Sequence, residues 1–186
     1  MDSKVYFIGA GPGDVDLITV KGRKILSSAD VVIYAGSLVS REHMNYCREG
    51  VKIYNSASMT LKEVVETMYE YYKQGKRVVR LHTGDPTIYG AIKEQMDELD
   101  KLDVAYEVIP GVSSFTAAAA AIKSEFTLPD VSQSVILTRI GGRTPVPENE
   151  SLEKLASIGC SMALFLSVSM IDKVVEKIKQ LQMQRE

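Results

Sequence analysis

Short apolar runs alternate along the chain with stretches that carry apolar residues at helical spacing. The runs Val5 to Ile8, Val31 to Tyr34 and Arg77 to His82 are typical of buried strands. The segment Thr60 to Lys73 predicts an amphipathic helix, which Gly75 ends. The apolar positions of that helix are Leu61, Val64, Val65, Met68 and Tyr72. This alternation of strands and helices predicts an α/β fold with a parallel sheet.

The remaining predicted elements divide at Pro110-Gly111, which gives an N-terminal domain over 1–110 and a C-terminal domain over 111–186. Before this boundary the sequence predicts further strands at 51–54 and 104–109 and helices at 19–28, 41–47 and 88–101. After it the sequence predicts helices at 113–122, in the segment that ends at 157, and from 170 onward, with strands at 134–140 and 162–167. Two strands make a marginal sheet, and the chain ends inside an amphipathic run. A C-terminal domain cut short is therefore predicted, and a complete small lobe is the alternative.

The composition of the chain limits which kinds of ligand and partner it can be expected to bind. Its 186 residues carry 22 Lys plus Arg against 24 Asp plus Glu, a formal charge of −2, so no broad basic surface for nucleic acid is expected. Cys47 and Cys160 lie far apart, with only His43 and His82 as further soft ligands, and we expect no metal site. No stretch reaches the roughly 20 apolar residues that a membrane span needs, and a cytoplasmic location with reduced cysteines is expected.

A glycine-rich segment, Gly9-Ala10-Gly11-Pro12-Gly13-Asp14, follows the first predicted strand. The dinucleotide fingerprint needs glycine at its sixth position, where Asp14 would face a pyrophosphate, so a nicotinamide or flavin site is disfavoured. A phosphate-binding P-loop is disfavoured too, because no Gly-Lys-Ser/Thr follows. A tight turn between strand and helix that binds no ligand is the plain alternative.

A second segment, Gly84-Asp85-Pro86, follows the strand that ends at His82. Ligands of open α/β sheets bind beyond the carboxyl ends of such strands. The glycine permits close backbone approach, Asp85 offers one charged contact, and Pro86 would set the first turn of a helix. Capping of that helix is an equally good role for Asp85.

With these two motifs and Pro110-Gly111-Val112-Ser113-Ser114, the chain resembles the tetrapyrrole methylases, which use S-adenosylmethionine (SAM). The segments 32–39, 125–139 and 142–148 look like the branch that methylates C11 of precorrin-4 or cobalt-precorrin-4 in cobalamin synthesis. The resemblance implies a two-domain fold: a parallel-rich N-terminal sheet with helices on both faces, and a second α/β domain that is incomplete here. It also implies a homodimer and a cofactor cleft between the domains.

The resemblance further implies which residues line the SAM site. They are Pro12, Thr83, Gly84, Asp85, Ile88, Ser113, Ser114 and Leu166. Arg139 and Arg143 are candidates to bind the substrate carboxylates, with ordinary surface arginine as the alternative.

No catalytic group is assigned, and His82, Asp85 and Glu125 are the candidates. A hydrogen-bonded structural histidine is the commoner outcome for His82, and His43, in an exposed-looking helix, is expected to have no role. Three other functions stay open: methylation of another ring carbon, a truncated non-catalytic remnant, and a dinucleotide oxidoreductase.

Overall fold

Five parallel strands form the sheet of the N-terminal half. The computed structural model describes residues 4–142 and 144–183. The strands are β1 (Val5–Gly9), β2 (Val31–Tyr34), β3 (Lys52–Asn55), β4 (Val78–His82) and β5 (Tyr106–Ile109), in the order β3-β2-β4-β1-β5. All four pairings are parallel. The predicted parallel-rich sheet is confirmed.

Helices cover both faces of this sheet, as predicted. They are α1 (Val20–Leu26), α2 (Leu61–Lys73) and α3 (Lys93–Lys101), and a further helix, α4 (Ser114–Ala121), follows β5 and buries no residue. One core joins α2 and α3 to the face that carries Phe7 and Ile33. The other joins α1 to the face that carries Ile8 and Val32. The two cores lie on opposite faces because adjacent strand residues point in opposite directions.

Helix α2 begins at a capping box, which explains its sharp start. The Thr60 hydroxyl accepts the Glu63 backbone N–H at 3.2 Å, and the Glu63 carboxylate accepts the Thr60 N–H at 2.7 Å. The same backbone and hydroxyl donors lower the pKa of Glu63. At the other end, Gly75 adopts a left-handed φ of 70°.

The predicted helix at 88–101 is wrong in its first turn. Helix α3 begins at Lys93, and residues 86–89 form a turn. Tyr89 and Ala91 have φ of 53° and 51°, left-handed values that a right-handed helix cannot include. Pro86 therefore opens a turn rather than a helix.

The C-terminal half has its own small sheet and core. Strands β6 (Val135–Arg139) and β7 (Ser161–Phe165) pair in parallel, with helices α5 (Leu152–Ser157) and α6 (Ile171–Met183). Its apolar core contains the buried residues Ile140, Leu152 and Val174. Within the described part of the chain, the C-terminal half contains this one two-stranded sheet.

The chain divides into two compact units, Met1–Ala118 and Ala119–Glu186. This division falls within α4, eight residues beyond the boundary that the sequence predicts at 110. The reason is local: Gly111 packs directly on Gly9 and Gly84 of the first unit. The domain assignment 1–110 and 111–186 stays a prediction.

We expect Gly111→Ala to destabilise the first unit severely. A Cβ at Gly111 would lie 2.1 Å from the Gly84 carbonyl oxygen and 2.8 Å from the Gly9 Cα, so strands must separate to admit it. The free energy of unfolding, measured by urea denaturation, should fall by about 3 kcal/mol or more. Gly142→Ala, whose Cβ would meet nothing nearer than 3.8 Å, should change it by less than about 0.5 kcal/mol. Equal losses in the two variants would contradict this packing argument.

Candidate functional site

Loops from β1, β4 and β5 meet at the carboxyl edge of the five-stranded sheet. The first, residues 9–14, and the second, residues 83–91, join through an antiparallel bridge between Gly11 and Gly84. The Gly84 N–H donates to the Gly11 carbonyl at 2.7 Å, and the Gly11 N–H donates to the Gly84 carbonyl at 3.3 Å. The Ala10 N–H donates to the His82 carbonyl at 2.7 Å. Two motifs that are far apart in sequence thus share one backbone network.

Asp85 ties the third loop, residues 110–113, to this network. Its Oδ1 accepts the Thr87 N–H at 2.8 Å and the Thr87 hydroxyl at 2.5 Å. Its Oδ2 accepts the Gly111 N–H at 3.0 Å. The predicted capping of a helix by Asp85 is wrong, because the residues after it form a turn. The carboxylate instead holds its own turn and the loop after β5 at once.

The other predicted cofactor residues of the first unit lie on the same loops. Pro12, Thr83 and Ile88 are half-buried, so part of each remains accessible. Ser113 is buried, and its carbonyl accepts the Thr116 hydroxyl at 2.8 Å and the Ala117 N–H at 3.2 Å. Ser114 is exposed at the start of α4. The structure brings these positions to one edge, as the motif positions imply.

The remaining candidates belong to the second unit. Leu166, just beyond β7, is 66% exposed and has a left-handed φ of 54°, an uncommon conformation for leucine. Arg139 ends β6, pairs in register with Phe165, and donates from Nη2 to the Pro145 carbonyl at 3.1 Å. Both lie at the carboxyl end of the small sheet. Glu125 is exposed and accepts the Thr127 hydroxyl at 3.1 Å. Arg143 lies outside the described residues.

His82 is buried in β4 in an unusual polar setting. It is 3% exposed, and its Nε2 has no hydrogen-bond partner among the described residues. Burial, and then the charge of Arg80, lower the pKa of His82 to about 3. The Arg80 guanidinium is buried too; it donates to the Gln95 side chain and the Ile33 carbonyl, and burial lowers its pKa to about 10. His82 is thus neutral and enclosed at pH 7, which disfavours proton transfer by this residue.

His43 is the residue that sequence reasoning placed most wrongly. It lies in the 3₁₀ helix Arg41–Tyr46 and is 0% exposed, where an exposed helix was expected. Its Nε2 lies 2.9 Å from the Ala10 carbonyl oxygen, inside the first glycine loop, and its Nδ1 lies 3.0 Å from the Ser40 carbonyl oxygen. The contact with Ala10 spans 33 residues of sequence, which no local pattern reveals.

A cavity of about 390 Å³ opens beyond the ends of β2 and β3. Its lining is Tyr34, Gly36, Val39, Ser40, Arg41, Asn55 and Ala57. Arg41 is exposed and makes no hydrogen bond or ion pair among the described residues. By contrast, the Asn55 side chain accepts the Ala57 N–H and the Ser40 hydroxyl accepts the Glu42 N–H. Arg41 therefore supplies an unpaired positive charge to this cavity. Arg41 lies two residues beyond the segment 32–39, and that nearness is the signal in the sequence that could have found it.

Residues 4–142 and 144–183 offer neither a metal-binding cluster nor a membrane-spanning helix. These residues contain no group of three or more His, Cys, Asp or Glu side chains placed to hold a metal ion. They also contain no helix that combines the length and the apolar character required to cross a bilayer.

Comparison with known proteins decides the family. The model of the tetrapyrrole (corrin/porphyrin) methylases matches residues 4–186. The chain belongs to this family. A cobalt-precorrin-4 C(11)-methyltransferase of Methanocaldococcus jannaschii is 58% identical to this methylase over 94% of the chain and 68% of that relative. A precorrin-4 C(11)-methyltransferase of Rhodococcus erythropolis is 45% identical over 94% of the chain and 70% of that relative.

A solved structure is similar to this tetrapyrrole methylase throughout. The X-ray structure of a cobalt precorrin-4 methyltransferase, described as a cobalamin biosynthetic enzyme, superposes with a TM-score of 0.93 at 52% identity. The match covers 96% of this chain and 75% of that one. The resemblance inferred from the glycine motifs is confirmed at the level of the family.

We expect His82→Leu to flatten the acid dependence of stability. In the unfolded chain His82 takes a proton below its usual pKa of 6.5, whereas the folded site resists protonation down to a pKa of about 3. The unfolded state therefore binds more protons in this window, and the free energy of unfolding falls with falling pH by up to about 1.4 kcal/mol per unit.

Urea denaturation between pH 6.5 and 5 measures this slope, and the comparison with the unaltered protein cancels the slight titration of carboxylates near pH 5. His43 is present in both proteins, so the difference between the two curves reports His82. A slope in His82→Leu equal to that of the unaltered protein would show that His82 does not carry the effect.

Proposed function

We propose that this tetrapyrrole methylase transfers a methyl group from SAM to C11 of precorrin-4 or cobalt-precorrin-4 in cobalamin synthesis. The relatives that bear this activity in their names are 58% and 45% identical over 94% of the chain. The higher identity with the cobalt form favours cobalt-precorrin-4, whose cobalt is part of the substrate. The structural observation that carries the proposal is the joining of the glycine loops at one sheet edge by the Gly11–Gly84 bridge and Asp85.

The glycines of these loops divide into packed and open positions, and the open ones suit a bound cofactor. A Cβ at Gly13 would meet no atom within 4 Å, and one at Gly84 would meet none nearer than 3.8 Å. Gly13 is half-buried, so a ligand can approach its backbone closely, whereas Gly84 is buried and both of its backbone polar groups bond Gly11. The first-unit residues fit SAM, and Pro12, Thr83, Gly84, Asp85, Ile88, Ser113 and Ser114 are its proposed contacts; the family resemblance alone adds Leu166 as a candidate.

SAM, when bound, supplies a methyl group made electrophilic by its sulfonium. The reduced tetrapyrrole carbon is electron-rich, so this chain needs no strong nucleophile of its own, and its residues align two reactants and exclude water. The backbone network of the loops gives a rigid platform for that alignment. Asp85 places negative charge at this platform, which favours a cationic ligand. We propose no general acid or base: His82 is enclosed, and Glu125 stays a candidate without an assigned role.

The substrate is rich in carboxylates, and arginine binds them with paired donors. Arg139 and Arg143 stay our proposed contacts in the second unit. In the first unit we add Arg41, because its guanidinium is unpaired among the described residues and lines the cavity beyond β2 and β3. A homodimer and a cytoplasmic location are also proposed, on the family resemblance.

The decisive experiment combines cofactor binding with product analysis. We expect S-adenosylhomocysteine to bind the purified chain stoichiometrically in a calorimeter, and we expect NMR of the product to place the new methyl group on C11. Methylation at another carbon would end the C11 assignment. Binding without turnover by a folded chain would favour the non-catalytic alternative, and binding of NAD but not S-adenosylhomocysteine would favour the oxidoreductase.

We expect Arg41→Gln to weaken tetrapyrrole binding about tenfold, the usual scale for one charge-assisted hydrogen bond. The affinity for S-adenosylhomocysteine should not change. Arg48→Gln is the matched control, since Arg48 pairs with Asp30 at the amino end of β2. The measurement is the KM for the tetrapyrrole, with calorimetry for the cofactor product. An equal rise of KM in both variants would show that only the net charge of the protein matters.

A further inference from the structure

His43 makes a buried contact with the cofactor loop that the proposed chemistry has not used. Its ring is 0% exposed, and the distances of 2.9 Å from Nε2 to the Ala10 oxygen and 3.0 Å from Nδ1 to the Ser40 oxygen are those of hydrogen bonds. Both partners are carbonyl oxygens, which only accept. A ring with one N–H can donate to only one of these oxygens, and a proton on Nε2 is the one that bonds the glycine loop.

The Ala10 oxygen and the Gly11 N–H belong to a single peptide unit, and each has a partner on a different element. The oxygen accepts from His43, and the N–H donates to the Gly84 carbonyl at 3.3 Å. Gly11 has a φ of 83°, and glycine accepts either sign of φ at little cost. Backbone sterics alone therefore do not fix this peptide plane. Its two hydrogen bonds do.

The 3₁₀ helix that carries His43 is itself held firmly in the first unit. The Tyr46 ring stands edge-on to His43, with centroids 6.4 Å apart, and the Arg23 guanidinium lies 4.4 Å from the Tyr46 centroid. Met44 and Tyr46 pack against one of the two cores. The helix that positions the His43 side chain against the loop is thus held in place by its own packing.

We propose that His43 is a positioning residue for the cofactor: its Nε2–H locks the Ala10–Gly11 peptide and thereby sets the direction of Pro12 and Gly13. The inference rests on the proposed function, because it takes residues 9–14 as a cofactor loop. It assigns His43 no contact with SAM or substrate. Loss of the donor frees the peptide to rotate, and cofactor affinity falls because the bound loop conformation must then be selected from several.

The test uses variants that separate the two ring nitrogens. A Gln amide nitrogen lies the same number of bonds from Cα as Nε2, and an Asn amide nitrogen the same number as Nδ1. We expect His43→Gln to keep the affinity for S-adenosylhomocysteine near that of the unaltered protein. We expect His43→Asn and His43→Leu to lose about tenfold, the scale of one buried hydrogen bond. Tyr46→Phe keeps the neighbouring ring and removes only the long hydroxyl contacts of 3.4 Å with the Val15 oxygen and Asp16 Oδ1, so it should change the affinity little.

Calorimetric titrations are made below the thermal unfolding midpoint of every variant, so that folded populations are compared. If His43→Leu does not fold, the comparison of the Gln and Asn variants still decides. Equal affinities in the Gln and Asn variants, whatever their stabilities, would overturn the positioning role and leave His43 merely structural. Failure of the unaltered, folded chain to bind S-adenosylhomocysteine would instead overturn the proposed function.

Discussion

The close approach of the backbones at Gly9, Gly84 and Gly111 is the constraint on which the candidate site depends. A Cβ at Gly9 would lie 2.5 Å from the Gly84 oxygen and 2.6 Å from the Gly111 Cα. Because no side chain intervenes, the ends of β1, β4 and β5 come near enough for backbone atoms to bond directly. The Gly11–Gly84 bridge and the bond from Gly111 to Asp85 both require that proximity. Most of the platform is therefore made of main-chain atoms.

The elements that the sequence predicts well are those whose signal is local. Buried strands such as β2 are continuous apolar runs, and its predicted bounds, Val31 to Tyr34, agree with the structure. Helix α2 carries both its apolar stripe and its capping box within its own residues. The glycine motifs also indicated the family from sequence alone, because glycine is required where two backbones come into contact. Their meeting at one edge follows from the parallel order of the strands.

The features that the sequence does not predict depend on distant partners or on backbone strain. The segment after Pro86 has apolar residues at helical spacing, yet Tyr89 and Ala91 take left-handed φ values that exclude a helix. His43 looks exposed when only its neighbours are considered, and its burial follows from the Ala10 carbonyl. The burial of the Arg80 side chain, which has no charged partner, likewise cannot be predicted from the local sequence pattern. Each of these is decided by tertiary contacts.

The position of β1 within the sheet has a consequence for how the chain folds. β1 pairs with β4 on one side and β5 on the other, and neither β2 nor β3 contributes to its ladder. During synthesis β1 therefore stays unpaired until β4, which ends at His82, has been made, and its second neighbour β5 follows only at Ile109. Loop-closure entropy must be overcome before these distant pairings form, which slows folding. Until then Val5, Phe7 and Ile8 form an exposed apolar segment on the nascent chain, the kind of sequence that chaperones recognise.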